Sequence, residues 1–206
     1  MDDQSYIERF QPGGENRPLI FLFHGTGGNE DQLAGLGQEL LPGAGIVAPR
    51  GDVSENGAAR FFRRTAEGVY DMDDLAARTA TMTRYVEAHV ARAKPSAVVG
   101  LGYSNGANIL ASVVFGAPTL FDATVLMHPL IPFQPKIEGE LAGRRILMTA
   151  GRKDPICPAH LTSRLESYLR GAGADVDVAW HDGGHEIRTT ESEAARDFLS
   201  RYRDGS

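Results

Sequence analysis

The chain has 206 residues, 42% of them hydrophobic and 23% charged, ordinary figures for one globular domain with a sizeable core. Lysine plus arginine total 21 against 27 acidic residues, and the net charge of −6 argues against nucleic acid or an anionic membrane as a main partner. The single cysteine, Cys157, allows no internal disulfide and fits a reducing compartment, and no apolar run approaches the roughly 20 residues of a membrane span. The polar, acidic start Met1–Ser5 is the opposite of a signal peptide's, so the expected location is the cytoplasm.

In chain order, Tyr6–Phe10 is a candidate antiparallel edge strand, followed by the apolar run Leu19–Phe23 (LIFLF), which ends at His24-Gly25. A helical pattern over Glu30–Leu41 leads to a short strand at Gly45–Ala48, stopped by Pro49. Met72–Ala93 carries Leu75, Thr79, Met82, Val86 and Val90 at helical spacing, and Pro95 closes it. Strand Ala97–Leu101 precedes helix Asn105–Gly116, and Ala123–Met127 and Arg145–Thr149 are further strands. Helix Pro158–Gly171, strand Val176–Trp180 and helix Thr189–Arg203 complete the series. Runs apolar on both faces suit buried parallel strands. Alternation with helices predicts an α/β fold: one domain over 1–206, a mostly parallel sheet and helices on both faces. In such a sheet the loops at the strands' C-terminal ends form the binding crevice.

The segment Gly102-Tyr103-Ser104-Asn105-Gly106 is a G-x-S-x-G elbow between an apolar strand and a helix, and it would lift the Ser104 hydroxyl clear of the sheet. Glycines at 102 and 106 suit a close crossing of strand and helix. A serine nucleophile needs a base and an orienting acid, and in α/β-hydrolases they follow in the order Ser, Asp/Glu, His. Asp154 stands just after the strand Arg145–Thr149, with Pro155 and Pro158 stiffening the turn. His185 follows the last strand, and Gly183 and Gly184 would permit the tight turn that aims its imidazole back. Asp122, Asp175 and Asp177 stand before or at the starts of their strands and belong at the opposite edge; Asp182 belongs to the turn beside His185. His89 and His160 fall in helices, and His181 packs or faces solvent.

An oxyanion hole needs the N–H after the nucleophile, here Asn105, and one from the loop after the first central strand. That loop is His24–Gly28, with the Thr26 N–H as donor and Gly27 as the alternative; losing one such donor typically costs about 2.7–4 kcal/mol. His24 reads as a buried support for the loop. HGTGGNE lacks a P-loop's Lys-Ser/Thr ending, and no H-E-x-x-H or cysteine cluster points to a metal. Arg60-Phe61-Phe62-Arg63-Arg64 has two readings. Its phenylalanines fill the core while its arginines pair with Glu67, Asp71 and Asp73, or the loop overhangs the crevice with an arginine placed to hold a substrate carboxylate. His128–Ile131 either lines an acyl pocket or packs. Gly27, Arg60, Phe61, His128 and Ile156 are the expected substrate-binding positions, and Cys157 is expected to be inert.

These residues resemble the small bacterial carboxylesterases of the phospholipase/carboxylesterase group, related to acyl-protein thioesterases, and more distantly the dienelactone hydrolases. The resemblance spans nearly the whole chain: HGTGGNE at 24–30, APRGDVSENGAARFFRR at 48–64, EGVYDMDDL at 67–75, GYSNGAN at 102–108, GRKDPICP at 151–158 and GGHE at 183–186. Asn105 departs from the glutamine usual in the thioesterase branch, and Ser104 from the cysteine of dienelactone hydrolases. The resemblance implies hydrolysis of small esters without a cofactor, and often a homodimer. The expectation is a lidless serine carboxylesterase acting through Ser104, Asp154 and His185 on a small-molecule ester. A thioesterase or lysophospholipase on the same triad, and a non-catalytic receptor, are the alternatives. No large insertion separates 123–127 from Asp154, so the site should be open.

Overall fold

A computed structural model describes residues 6–203; the polar segment Met1–Ser5 lies outside the described residues. The central sheet runs β1(Glu8–Gln11), β3(Gly45–Pro49), β2(Leu19–Phe23), β8(Val98–Tyr103), β9(Ala123–Met127), β10(Arg145–Gly151), β11(Asp175–His181). All neighbours pair in parallel except β1, which joins β3 antiparallel with Glu8 opposite Pro49. Strand β2 is buried along its whole length, as a strand covered on both faces must be.

Period-two alternation sorts its side chains. Phe21 and Phe23 join the cluster formed with α2(Met72–Ala93), α3(Asn105–Gly116) and α4(Ala159–Gly171). Ile20 and Leu22 join the opposite cluster, under α1(Ala34–Leu40) and α5(Thr189–Phe198). The described residues therefore form a three-layer α/β domain, with no lid domain among them. Among the described residues no helix is long and apolar enough to cross a membrane.

Two helices are shorter than the sequence pattern predicts. Helix α1 begins at Ala34, because the Asn29 side chain accepts the Asp31 N–H in a turn and Glu30 is drawn aside to Arg50. Helix α5 ends at Phe198 and passes into a 3₁₀ turn over Ser200–Tyr202. Four short strands are additions to the expected elements. They form two hairpins, β4(Val53–Glu55) with β5(Ala58–Arg60) and β6(Arg64–Ala66) with β7(Val69–Tyr70), between β3 and α2. These hairpins overhang the C-terminal edge of the sheet, where the site lies.

Candidate active site

Strand β8 delivers Ser104 to the first position of a sharp turn, with φ 54° and ψ −116°. That region disfavours a side chain, and such strain persists only where the surroundings enforce it. Here the Ser104 N–H donates to the Met127 carbonyl at 2.8 Å and its own carbonyl accepts the Asn108 N–H. The glycines flanking the turn answer a space requirement. A Cβ at Gly102 would lie 2.5 Å from the Gly106 carbonyl oxygen, and one at Gly106 would lie 2.0 Å from that of Phe23.

The structure brings together the three residues picked out by order along the chain. Ser104 Oγ lies 2.9 Å from His185 Nε2, and His185 Nδ1 lies 2.7 Å from Asp154 Oδ2. Asp154 is buried at the end of β10, and its Oδ1 accepts the N–H groups of Ile156 and Cys157. Burial works against its charge, but those amides together with His185 and His128 outweigh it and hold its carboxyl below the usual range. The turn before His185 differs from expectation. Neither Gly183 nor Gly184 has a positive φ; the tight constraint is at Gly151, where a Cβ would meet the Gly184 carbonyl at 2.1 Å.

A cavity of about 280 Å³ opens over Ser104. Thr26, Arg60, Tyr103, Asn105, Leu130, Ile156 and His185 are on its wall. The Gly27 N–H donates to Ala59 O, which removes it as the alternative oxyanion donor. The Thr26 N–H has no hydrogen-bond partner among the described residues, and Asn105 opens α3, where an N–H has no partner within the helix. The Asn105 side chain has a separate duty: its Oδ1 accepts the Phe61 N–H and ties the arginine-rich loop to the helix.

Three expected substrate contacts are corrected. Phe61 is buried against Phe23 and His24 and does not line the cavity, because its ring fills the gap beside β2. Gly27 is engaged with the β5 backbone as described. His128 is wholly buried beneath the site, where it bonds to Asp154, so no substrate reaches it. Arg60 does reach the wall, but its side chain is only 3% exposed and its guanidinium is held by Thr26 Oγ1 and Phe62 O, with Glu55 3.6 Å away. Arg64 pairs with Glu55 and Glu67, and Arg63 pairs with Asp71 and Asp74 rather than Asp73.

Tyr70, Asn108 and Tyr103 also hold the site together, though none is among the positions expected from the sequence. The Tyr70 hydroxyl donates to Leu130 O and accepts from Asn108 Nδ2, while the Leu130 N–H donates to Asn108 Oδ1. Tyr103 donates to the His185 carbonyl at 2.6 Å. Asn108 lies one turn beyond Ser104 on α3 and Tyr103 is the elbow's own second residue, so spacing from the serine was the available signal. His24 is the loop support expected: its Nε2 accepts the Gly51 N–H and its Nδ1 donates to Gly25 O. Burial pushes the Cys157 thiol well above its usual range, and it donates to His128 O, as an inert cysteine should.

His128, His181 and Glu191 also converge closely enough to suggest a metal cage. Their protons argue otherwise. His181 Nδ1 accepts the Gly183 N–H, so its proton is on Nε2, which faces Glu191 at 3.3 Å. A nitrogen that already carries a proton toward a carboxylate offers no lone pair to a metal.

The chain matches the dienelactone hydrolase family model over residues 9–200. It is 38% identical over 187 residues to the putative hydrolase MhqD of Bacillus subtilis, covering 90% of this chain and 94% of that one. A protein of unknown function from Agrobacterium tumefaciens is 54% identical, with TM-score 0.91 over 96% of this chain and 97% of the other. The Bacillus cereus carboxylesterase is 35% identical, with TM-score 0.91 over 97% and 96%. The chain belongs to the dienelactone hydrolase family, and it is a hydrolase of the dienelactone hydrolase/carboxylesterase type with a serine at its elbow.

Proposed function

We propose that the protein is a serine carboxylesterase for small or short-chain esters. The observation that carries this reading is the unbroken chain from Ser104 Oγ through His185 to Asp154, at 2.9 and 2.7 Å, under an open cavity. His185 takes the hydroxyl proton as Ser104 Oγ attacks the ester carbonyl, and Asp154 holds the imidazole and stabilises its charge. The Thr26 and Asn105 amides receive the oxyanion. His185 then protonates the leaving alcohol, and a water activated by the same nitrogen releases the acid from Ser104.

The cavity over Ser104, about 280 Å³ and open to solvent, has room for a small ester. A receptor on the same fold has no need of all three groups, and their intact geometry favours catalysis. The test is turnover of a chromogenic acetate ester by wild type and Ser104→Ala. The variant should be inactive; equal rates would end the reading. Comparing kcat/KM on matched oxygen and sulfur esters then separates an esterase from a thioesterase, with the oxygen ester expected to be preferred.

A further inference from the structure

Asp154 is shared by two imidazoles. Its Oδ2 lies 2.7 Å from His185 Nδ1 and 2.8 Å from His128 Nδ1, while Oδ1 takes the two loop amides. His128 is 0% exposed, and its other nitrogen, Nε2, lies 3.0 Å from Oε1 of Glu191, itself 1% exposed. The approach to Glu191 is too oblique for a well-formed hydrogen bond, so the attraction there is mainly between charges. Glu191 also receives the Thr149 hydroxyl and the Arg188 N–H, and His181 Nε2 lies 3.3 Å from it without a formed hydrogen bond. Two donors and the facing imidazole on one buried carboxyl favour its anion.

The protons follow from these contacts. His128 Nδ1 faces a carboxylate and must carry a proton. An unprotonated Nε2 would hold its lone pair 3.0 Å from a second carboxylate in a buried site, which is repulsive. We infer that His128 is a positioning residue: an imidazolium clamped between Asp154 and Glu191 that fixes the carboxylate used by His185. This inference rests on the proposed esterase reading.

Backbone geometry supports the inference independently. His128 has φ 51°, in the left-handed region that non-glycine residues adopt uncommonly. It is pinned there by its N–H to Thr149 O and by the Cys157 thiol donating to its carbonyl. The strain places the ring under Asp154, 5.1 Å from the His185 ring, 5.4 Å from that of His181 and 5.9 Å from that of Tyr103. Asp154, Glu191, His181, His185, Tyr103, Thr149 and Cys157 thus face it from β8, β10, β11, α5 and the adjoining loops. Burial disfavours its charge, but the attraction of Glu191 and the bond to Asp154 outweigh burial and hold His128 above the usual histidine range.

The benefit is one of charge. Two buried carboxylates and one imidazolium leave a single negative charge. That charge is neutralised when His185 takes the proton from Ser104.

The test is nitrogen-15 NMR of histidine-labelled wild type, together with the pH profile of kcat/KM for the acetate ester in wild type and Glu191→Gln. In wild type both His128 nitrogens should be protonated from pH 6 to pH 8, whatever the enzyme's activity. Glu191→Gln lets His128 become neutral, and a positive charge beside His185 disappears. The acid limb should then move to higher pH, and kcat should fall roughly five- to tenfold as a charge-assisted bond becomes a neutral one, with KM little changed. A neutral His128 in the folded wild type, or an acid limb that stays or moves down in the variant, would overturn the inference. If Ser104→Ala keeps its turnover, the esterase reading fails instead, and the spectrum still reports the proton on His128.

Discussion

The two sides of Asp154 are built differently. Toward the cavity, Ser104 and His185 are partly exposed, and the loop at Thr26 and the hairpins around Arg60 form a polar rim open to solvent. Beneath it, His128, Thr149 and Glu191 are dry and locked in hydrogen bonds between the ends of β9 and β10 and the first turn of α5. The open side must admit substrate and water and keep its amides unpartnered. The dry side must hold a carboxylate still in a medium where every unpaired charge is costly. Substitutions above Asp154 should therefore cost rate, and substitutions below it should cost stability as well.

The largest expected effect is on the open side. Ser104→Ala should lower kcat by about 10⁴- to 10⁶-fold, the scale for removing a triad nucleophile, while urea melts stay near wild type. Asp154→Asn joins the two sides, and it should lose about 10⁴-fold in kcat by favouring the wrong tautomer of His185. It should also melt earlier, since an amide N–H₂ then faces an imidazole N–H. If it lost rate alone, the distinction between the sides would fail.

Below Asp154, Glu191→Ala removes one of the two carboxylates that hold the His128 charge and leaves the Thr149 hydroxyl and the Arg188 N–H without their acceptor. It should destabilise by about 2–4 kcal/mol, read as a lower urea midpoint. A loss under about 1 kcal/mol would mean that water or a shift of α5 replaces the carboxylate. Stability should also depend on pH at both ends. Asp154 and Glu191 are held below their ordinary values in the fold, so their contribution is present above the unfolded carboxylate range and is lost as pH falls through the folded values. His128 is raised, so its contribution is full below the unfolded histidine value, near 6.5, and is lost as pH rises through its folded value. These three contributions are together full only between about pH 5 and pH 6.5. Burial lowers His24 and His89, which act in the opposite sense as pH falls below the unfolded histidine value, so the urea midpoint is compared between wild type and Glu191→Gln at each pH. Glu191→Gln should flatten both slopes.

The smallest effect is expected at the rim. Thr26→Val removes the oxygen that accepts from Arg60 and keeps the backbone N–H offered to the oxyanion. Steady-state kinetics should show a change of only a few-fold, because a single net hydrogen bond contributes about 1 kcal/mol. A loss near 10³-fold would make the side chain, rather than the amide, the important group.

The open side was legible in the sequence and the dry side was not. Ser104, Asp154 and His185 each follow an apolar run, and order along the chain sufficed to connect them. The loop after LIFLF announced itself by its glycines. His128 also follows an apolar run, but nothing local distinguishes a ring that turns into the pocket from one that turns beneath it. Its left-handed backbone and its partner Glu191 are set by tertiary contacts. Glu191 reads locally as a third-position acid at the start of α5, where its side chain accepts the Arg188 N–H. That role is real, and it conceals the longer-range one. The hairpins over residues 53–70 escaped for another reason: strands of two or three mixed residues have no periodicity to detect.

The central claim is that Ser104 is the nucleophile, and trapping its acyl-enzyme tests it most directly. The protein should be mixed with a chromogenic acetate ester, quenched in acid within one turnover and digested for mass spectrometry. One acetyl group should appear on the peptide bearing Ser104, at Ser104 itself, and it should be absent from Ser104→Ala. Turnover without an adduct at Ser104, or with the acetyl group on Cys157, would contradict the account.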